Sequence, residues 1–262
     1  MIKTLIFSLL TVLASTGVPL YAQSRVVEFE SPRMKVFLPP KTMENGKAIV
    51  ACPGGGYSHL AQNHEGYYWA PYFNDLGFAY AVVEYDLPAG DKNIPMNDVR
   101  KAFAVLKDSA ENWNIHPDKI GIMGSSAGGH LASTIATRPT EECNPAFQIL
   151  FYPVISLGKD ITHAGTRKEF LGENPSDDEV AEWSSHNNVS GNTSPAFLAL
   201  SSDDKAVKPV NSLLYYNALV ENQIPVAMFI YPHGGHGWGY RTNFRHREQM
   251  LQELTAWLKN LN

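Results

Sequence analysis

The sequence predicts an α/β fold in which a mostly parallel central sheet is covered by helices on both faces. Short apolar runs alternate with helical patterns along most of the chain, and several of those runs are almost continuously apolar. Alternating strands and helices are typical of a parallel sheet, and uninterrupted apolar strands are typical of positions covered on both sides. The chain has 262 residues, which is enough for one such domain and too few for two of ordinary size.

The N-terminal segment, residues 1–22, differs from the rest. Lys3 gives it a positive start, residues 5–14 are an apolar core, and a cleavage site follows at Ala22. We predict a cleavable signal peptide and therefore a secreted or periplasmic protein, with residues 23–262 as a single domain. An uncleaved anchor is the alternative, although the apolar run is short for a spanning helix.

Charge and cysteine content limit the possible partners. The formal net charge is −5, or −6 without residues 1–22, which hold one lysine and no acidic residue. No basic stripe is present, so we expect no nucleic-acid partner, and no membrane partner once the signal is removed. Cys52 lies in an apolar run and fits a core position, while its spacing from Cys143 leaves a disulfide open.

The elements follow one another in a regular order. A glycine or proline marks several boundaries, such as Gly77 after the first helix and Pro95 at the start of the next. The polar, turn-rich stretch 157–195 interrupts the rhythm and is the candidate cap. We predict strands at 36–38, 48–52, 78–83, 120–123, 147–155, 196–200 and 226–231, and helices at 67–76, 95–113, from the elbow to 137, at 207–220 and at 244–261.

A sharp turn joins the strand at 120–123 to the next helix, and its sequence is G-S-S-A-G. A serine between two glycines at a strand-to-helix bend is typical of a nucleophile elbow. Glycine at 124 and 128 removes side chains that would clash with the adjoining strand and helix. We therefore predict Ser126 as a catalytic nucleophile. The alternative is a glycine turn that only joins two elements.

A serine hydroxyl needs a base and an orienting acid, which on such a sheet follow in later strand-end loops. The loop after the strand at 196–200 offers Asp203 and Asp204, and we favour Asp204 because Asp203 is nearer the strand exit. The loop after the last strand offers His233 and His236, and we favour His236 because flanking glycines free its loop. The alternatives are that Asp204 only caps a helix and that His236 is a turn residue.

An ester or amide reaction also needs N–H groups for the oxyanion. Ala127, directly after the nucleophile, supplies one. The glycine turn, defined as residues 53–56, is the second expected source, and within it we favour Gly55 and Gly56. A plain turn without this role is the alternative.

Two pairs of histidines also suggest a possible metal-binding site. His233 with His236, and His59 with His64, could be ligand pairs. Glycine-rich loops lack the fixed helical spacing of metalloprotease motifs, so we expect no catalytic metal and no cofactor.

With these residues in view, the chain resembles secreted bacterial carbohydrate acetylesterases of the α/β-hydrolase superfamily, the acetyl-xylan-esterase-like group. The triad of that group matches Ser126, Asp204 and His236. One difference is Tyr85-Asp86, where relatives often carry Tyr-Arg. The resemblance rests on the blocks A-C-P-G-G-G-Y (51–57), E-G (65–66), N-W-N-I-H-P-D-K-I-G-I-M-G-S-S-A-G-G-H-L-A (112–132), F-L-G-E-N-P-S (170–176), W-S-S-H-N-N-V (183–189), S-D-D-K-A-V (202–207) and P-H-G-G-H-G-W-G (232–239).

The resemblance implies a carboxylic ester hydrolase that removes acetyl groups from a plant polysaccharide or oligosaccharide, above all xylan. Tyr57 and Trp238 flank the glycine turn and the expected base, so we predict that their rings contact the sugar, with ordinary packing as the alternative. Feruloyl ester cleavage, a small serine exopeptidase and a non-enzymatic carbohydrate-binding protein are the competing functions.

Overall fold

The computed structural model describes residues 25–261, and eight strands form one sheet. Most of the predicted strands are confirmed, with ends that differ by up to four residues. The strands are β1 (Arg25–Glu30), β2 (Arg33–Leu38), β3 (Ala48–Cys52), β4 (Ala79–Val83), β5 (Ile120–Ser125), β6 (Gln148–Phe151), β7 (Ala196–Ser201) and β8 (Val226–Tyr231).

The strand order is β1-β2-β4-β3-β5-β6-β7-β8. The pairs β1–β2 and β2–β4 are antiparallel, and every later pair is parallel. The register pairs Cys52 with Gly124 and Ser201 with Tyr231, so the loops after β3 and β5 lie side by side, as do those after β7 and β8. The predicted class, a mostly parallel sheet, is therefore confirmed.

Helices cover both faces, as predicted. In β3, Val50 and Cys52 pack into one core with the helices at Asn93–Asp108, Ser126–Thr137 and Val210–Glu221, whereas Ile49 and Ala51 pack into a second core with the helices at Ala70–Asp75 and Arg247–Lys259. This alternation is the two-residue period of a strand buried on both sides. The helices are α1 (Ala70–Asp75), α2 (Asn93–Asp108), α3 (Ala110–Trp113), α4 (Ser126–Thr137), α5 (Ala164–Leu171), α6 (Asp177–Glu182), α7 (Val210–Glu221) and α8 (Arg247–Lys259).

Several predicted boundaries were wrong for local reasons. The strand predicted at 147–155 ends at Phe151, because Tyr152 takes a positive φ of 37° and Pro153 cannot donate to a ladder. The helix α7 begins at Val210 rather than at 207, since Pro209 is its N-cap and a proline disfavours the helical conformation at the preceding residue, Lys208. The edge strand β1 was not predicted.

The segment 157–195 contains α5, α6 and a short 3-10 helix at Ser185–Asn188. Phe170 on α5 stacks on Tyr57 with ring centroids 5.1 Å apart and meets the ring of His130 on α4 edge-on at 4.7 Å. The segment therefore packs directly on the helix that follows the elbow and beside the glycine turn.

Cys52 and Cys143 are both buried free thiols. Burial raises the pKa of both, that of Cys143 to about 12, so the thiols are neutral at ordinary pH. The interpretation of Cys52 as a core residue is confirmed.

The predicted signal peptide, residues 1–22, lies outside the described residues. Within 25–261, no helix combines the length and the apolar character needed to cross a bilayer.

Candidate active site

Ser126 lies at the bend between β5 and α4 with a φ of 53°, a conformation that L-residues rarely adopt. The bend is tight on both sides. A Cβ atom on Gly124 would lie 2.1 Å from the carbonyl oxygen of Gly128, and one on Gly128 would lie 2.0 Å from that of Cys52. Both positions therefore require glycine, as the elbow motif predicted.

A chain of hydrogen bonds runs from Ser126 through two later loops. Ser126 Oγ is 2.8 Å from His236 Nε2, and His236 Nδ1 is 2.7 Å from Asp204 Oδ2. The other carboxylate oxygen of Asp204 accepts the N–H groups of Ala206 and Val207, both at 2.9 Å. In this geometry an imidazole can take the proton of a hydroxyl group while a fixed carboxylate orients the ring.

The other two candidates in these loops, Asp203 and His233, lie apart from Ser126. They face each other at 3.7 Å on the protein surface. Asp203 Oδ1 accepts the N–H of Gly235 at 2.8 Å, and this bond holds the pKa of Asp203 below its usual value. Asp203 therefore contacts the backbone of the histidine loop, defined as residues 232–239, and not its central ring.

The glycine turn passes beside the elbow. A Cβ atom on Gly54 would lie 2.9 Å from Ser126 Cβ, which shows how closely the backbone approaches. The N–H of Gly54 is occupied by a carboxylate, whereas no acceptor within residues 25–261 binds the N–H of Gly55 or Gly56. Ala127 is in the first turn of α4, where N–H groups have no partner inside the helix.

Tyr57 and Trp238 are 1% and 4% exposed, which leaves their rings little surface for the predicted contact with the sugar. Tyr57 has a φ of 63°, and its ring stacks on Phe170. Trp238 stacks on Phe244 at 4.2 Å, and its Nε1 donates to Ser201 Oγ at 3.2 Å. In both loops the backbone turns the ring into the core.

Four residues near the site were given no role by the sequence. Glu65 and Tyr152 are hydrogen-bonded to each other although they are 87 residues apart. The E-G pair at 65–66 was the only signal for Glu65, and no sequence signal connects it with Tyr152. His130 and His163 are the other two: His130 on α4 bonds the backbone of Trp183 in the segment 157–195, and His163 in that segment borders the glycine turn.

His163 is the N-cap of α5, where its Nδ1 accepts the N–H of Thr166 at 3.1 Å. A Cβ atom on Gly56 would lie 3.4 Å from His163 Cε1, so the ring borders the glycine turn. Partial burial lowers the pKa of His163, and the nearby His236 adds to this while Asp204 opposes it. His163 therefore presents a neutral ring at this border.

Within residues 25–261, no group of three or more His, Cys, Asp or Glu side chains is arranged to hold a metal ion. Two of the histidines considered as possible ligands have other partners. His236 is hydrogen-bonded to Asp204, and His64 faces Arg241.

Solved structures with a similar fold identify the class. The chain matches an α/β-hydrolase enzyme from a Medee basin deep-sea metagenome library with a TM-score of 0.72 at 23% identity, covering 92% of this chain and 99% of that one. It matches the acetyl ester-xyloside bifunctional hydrolase from Caldicellulosiruptor lactoaceticus with a TM-score of 0.80 at 33% identity, covering 87% and 88%. Strand order, elbow and these likenesses define an α/β-hydrolase fold.

The family is given by the sequence. The BD-FAE family model matches residues 34–219, and the chain belongs to the BD-FAE family. It is also similar to the acetylxylan esterase of Xylanibacter ruminicola, with 43% identity over 233 residues that cover 87% of this chain and 48% of that protein. This chain spans about half the length of that relative. The resemblance inferred from the motifs is confirmed.

Proposed function

We propose that this protein is a serine esterase that removes acetyl groups from plant polysaccharide, with acetylated xylan as the preferred substrate. The observation that carries the proposal is the hydrogen-bonded chain from Ser126 through His236 to Asp204, with distances of 2.8 and 2.7 Å. Three groups of the right types in the right order along the chain are not required by the fold itself, so a catalytic role is the simplest reason for them.

The proposed reaction is a double displacement. His236 Nε2 takes the proton of Ser126 as Oγ attacks the ester carbonyl carbon, while Asp204 holds the imidazole tautomer. The N–H of Ala127 and those of the glycine turn stabilise the oxyanion. The carbon–oxygen bond to the sugar then breaks, and the alcohol leaves with the proton from His236. Water attacks the acyl-enzyme, gives a proton to His236, and acetate leaves as Ser126 recovers its hydrogen.

The choice of substrate is supported by the relatives. The similar protein of Xylanibacter ruminicola is an acetylxylan esterase, and the similar structure from Caldicellulosiruptor lactoaceticus is an acetyl ester-xyloside hydrolase. The packing of the segment 157–195 beside the glycine turn supports its role as a cap over the acyl site. We also propose that the protein is exported, on the basis of the charge and apolar pattern of residues 1–22.

The test measures acetate released from acetylated xylan by the wild-type protein and by Ser126→Ala, with methyl ferulate as the competing substrate. The wild type is expected to release acetate, and the variant to lose about 10⁶-fold in kcat on p-nitrophenyl acetate. Ser202→Ala is the matched control, because Ser202 is exposed and only its backbone N–H is bound, to Tyr231.

A fluorophosphonate probe should label the wild type and Ser202→Ala but not Ser126→Ala. Ordinary turnover by Ser126→Ala would refute the assignment of the nucleophile. Faster hydrolysis of methyl ferulate than of acetylated xylan would replace the acetyl specificity with the feruloyl alternative.

A further inference from the structure

Glu65 is a buried carboxylate between two parts of the candidate active site. Its side chain is 3% exposed. Oε2 accepts the N–H of Gly54 at 2.8 Å, and Oε1 accepts the hydroxyl of Tyr152 at 2.9 Å. Since both oxygens accept from separate donors, the pattern fits the ionised carboxylate.

The second half of this connection runs through Tyr152. Its hydroxyl oxygen accepts the N–H of Gly239 at 2.8 Å, at the end of the histidine loop. The Tyr152 ring also meets the His236 imidazole edge-on, with centroids 4.8 Å apart. An unbroken path of three hydrogen bonds therefore joins the glycine turn at Gly54 to the histidine loop at Gly239.

There is little room for either loop to shift against this connection. A Cβ atom on Gly54 would lie 2.5 Å from Glu65 Oε2, and one on Gly239 would lie 2.2 Å from the carbonyl oxygen of His64. The same carbonyl accepts the N–H of Tyr240 at 2.7 Å. Residues 64 and 65 thus contact the glycine turn with a side chain and the histidine loop with both backbone and side chain.

The charged and titratable groups that face the Glu65 carboxylate are few. Among the described residues they are Tyr85, Tyr152, His236 and Arg241, together with His64, whose Nε2 is 3.9 Å from Oε1. Burial raises the pKa of Glu65, and the bonds from Tyr152 and Gly54 and the charges of His236 and Arg241 oppose that rise. The Glu65 carboxylate lies close enough to the His236 ring to interact with its charge, and this ring gains a positive charge during the proposed reaction.

We infer that Glu65 is a positioning residue for the proposed esterase reaction, on which this inference rests. Its carboxylate holds the glycine turn and the histidine loop at a fixed separation, so that the oxyanion N–H groups and His236 meet the same ester. Misplacement of a reacting group by about 1 Å can cost about 100-fold in rate, so breaking the connection is expected to slow the reaction.

The test compares Glu65→Gln with Tyr152→Phe on p-nitrophenyl acetate from pH 5 to pH 9. An amide keeps one acceptor and replaces the other with a donor, so Glu65→Gln leaves one of the two partner groups without its bond. Tyr152→Phe breaks the connection and retains the charge. The matched control is Tyr215→Phe, which removes the buried hydroxyl that donates to Gln148 Oε1 at 2.9 Å, away from the site.

Both test variants are expected to lower kcat by about 10- to 100-fold with KM changed by less than about threefold. Glu65→Gln should also move the acid limb of the pH profile of kcat/KM to lower pH, because it removes a carboxylate whose pKa is raised by burial and whose protonation would replace an acceptor with a donor. Tyr152→Phe should not move that limb downwards. Tyr215→Phe should keep kcat within about twofold of the wild type.

Wild-type kcat in both test variants would overturn the inference, and so would activity lost only in proportion to folded protein measured by near-ultraviolet circular dichroism. Failure of the proposed function is a separate result, because it would appear as turnover by Ser126→Ala. An inactive Ser126→Ala with unaffected Glu65→Gln and Tyr152→Phe would remove the role of Glu65 alone.

Discussion

The two loops after β7 and β8 contain two Asp–His pairs of similar composition and opposite surroundings. Asp204 and His236 are 2.7 Å apart, with side chains 1% and 23% exposed. Asp203 and His233 are 3.7 Å apart, with side chains 43% and 70% exposed. The two aspartates are adjacent in the loop after β7, and the two histidines are three positions apart in the loop after β8.

The difference shows how burial separates two pairs that are chemically alike. Water and salt screen the exposed pair, so its attraction is worth little. The buried carboxylate has both oxygens fixed, one by backbone N–H groups and one by the His236 ring. A preorganised carboxylate of this kind can stabilise an imidazolium without solvent rearrangement, which the exposed pair cannot do.

The largest effect that tests this contrast is expected at the histidines. His236→Ala should lower kcat by about 10⁵- to 10⁶-fold, because Ser126 loses its base. His233→Ala should stay within about twofold of the wild type. Steady-state kinetics on p-nitrophenyl acetate measure both, and equal losses in the two variants would abolish the contrast.

The acids should give the next largest effect. Asp204→Asn is expected to lower kcat by about 10⁴-fold, since the amide can hold the wrong tautomer of His236. Asp203→Asn keeps an acceptor for the Gly235 N–H and should change kcat by less than about threefold. The same assay measures both, and a larger loss in Asp203→Asn would show that the exposed pair is the one that acts.

A third histidine, His130, extends the comparison, because it is buried and its two hydrogen-bond partners are not carboxylates. His130 Nε2 donates to the carbonyl oxygen of Trp183 at 2.8 Å, and Nδ1 accepts the hydroxyl of Tyr57 at 3.0 Å. Burial lowers the pKa of His130 to about 4. In the unfolded chain His130 has an ordinary pKa of about 6.5. Between about pH 6.5 and pH 4 the unfolded chain therefore binds a proton at His130 that the folded chain does not bind.

The free energy of unfolding should accordingly fall by about 3 kcal/mol from this residue as the pH drops from about 6.5 to 4. Denaturant unfolding at a series of pH values measures the effect. His130→Gln should flatten that part of the pH dependence, whereas His233→Gln, as the exposed control, should leave it unchanged. A dependence unaffected by His130→Gln would contradict the assignment.

Much of the architecture could be predicted because it depends on local sequence patterns. The apolar run at 48–52 and the G-S-S-A-G turn identified β3 and the elbow, since burial on both faces and a tight bend each restrict the residues allowed. The strand β1 was missed because it is an exposed edge, where the apolar pattern is weak. The burial of the Tyr57 and Trp238 rings could not be predicted, because position in a loop does not fix the direction of a ring.

By itself, the sequence determined the order of the elements, the fold class and the loops that would carry a serine, an acid and a histidine. These features depend on residue types at short spacing, which act through local backbone and burial preferences. Only the tertiary structure decided that Asp204 and His236 are the buried pair, and that Glu65 joins the glycine turn to the histidine loop. Contacts of that kind depend on distances between loops far apart in the chain, which are set by strand register and packing.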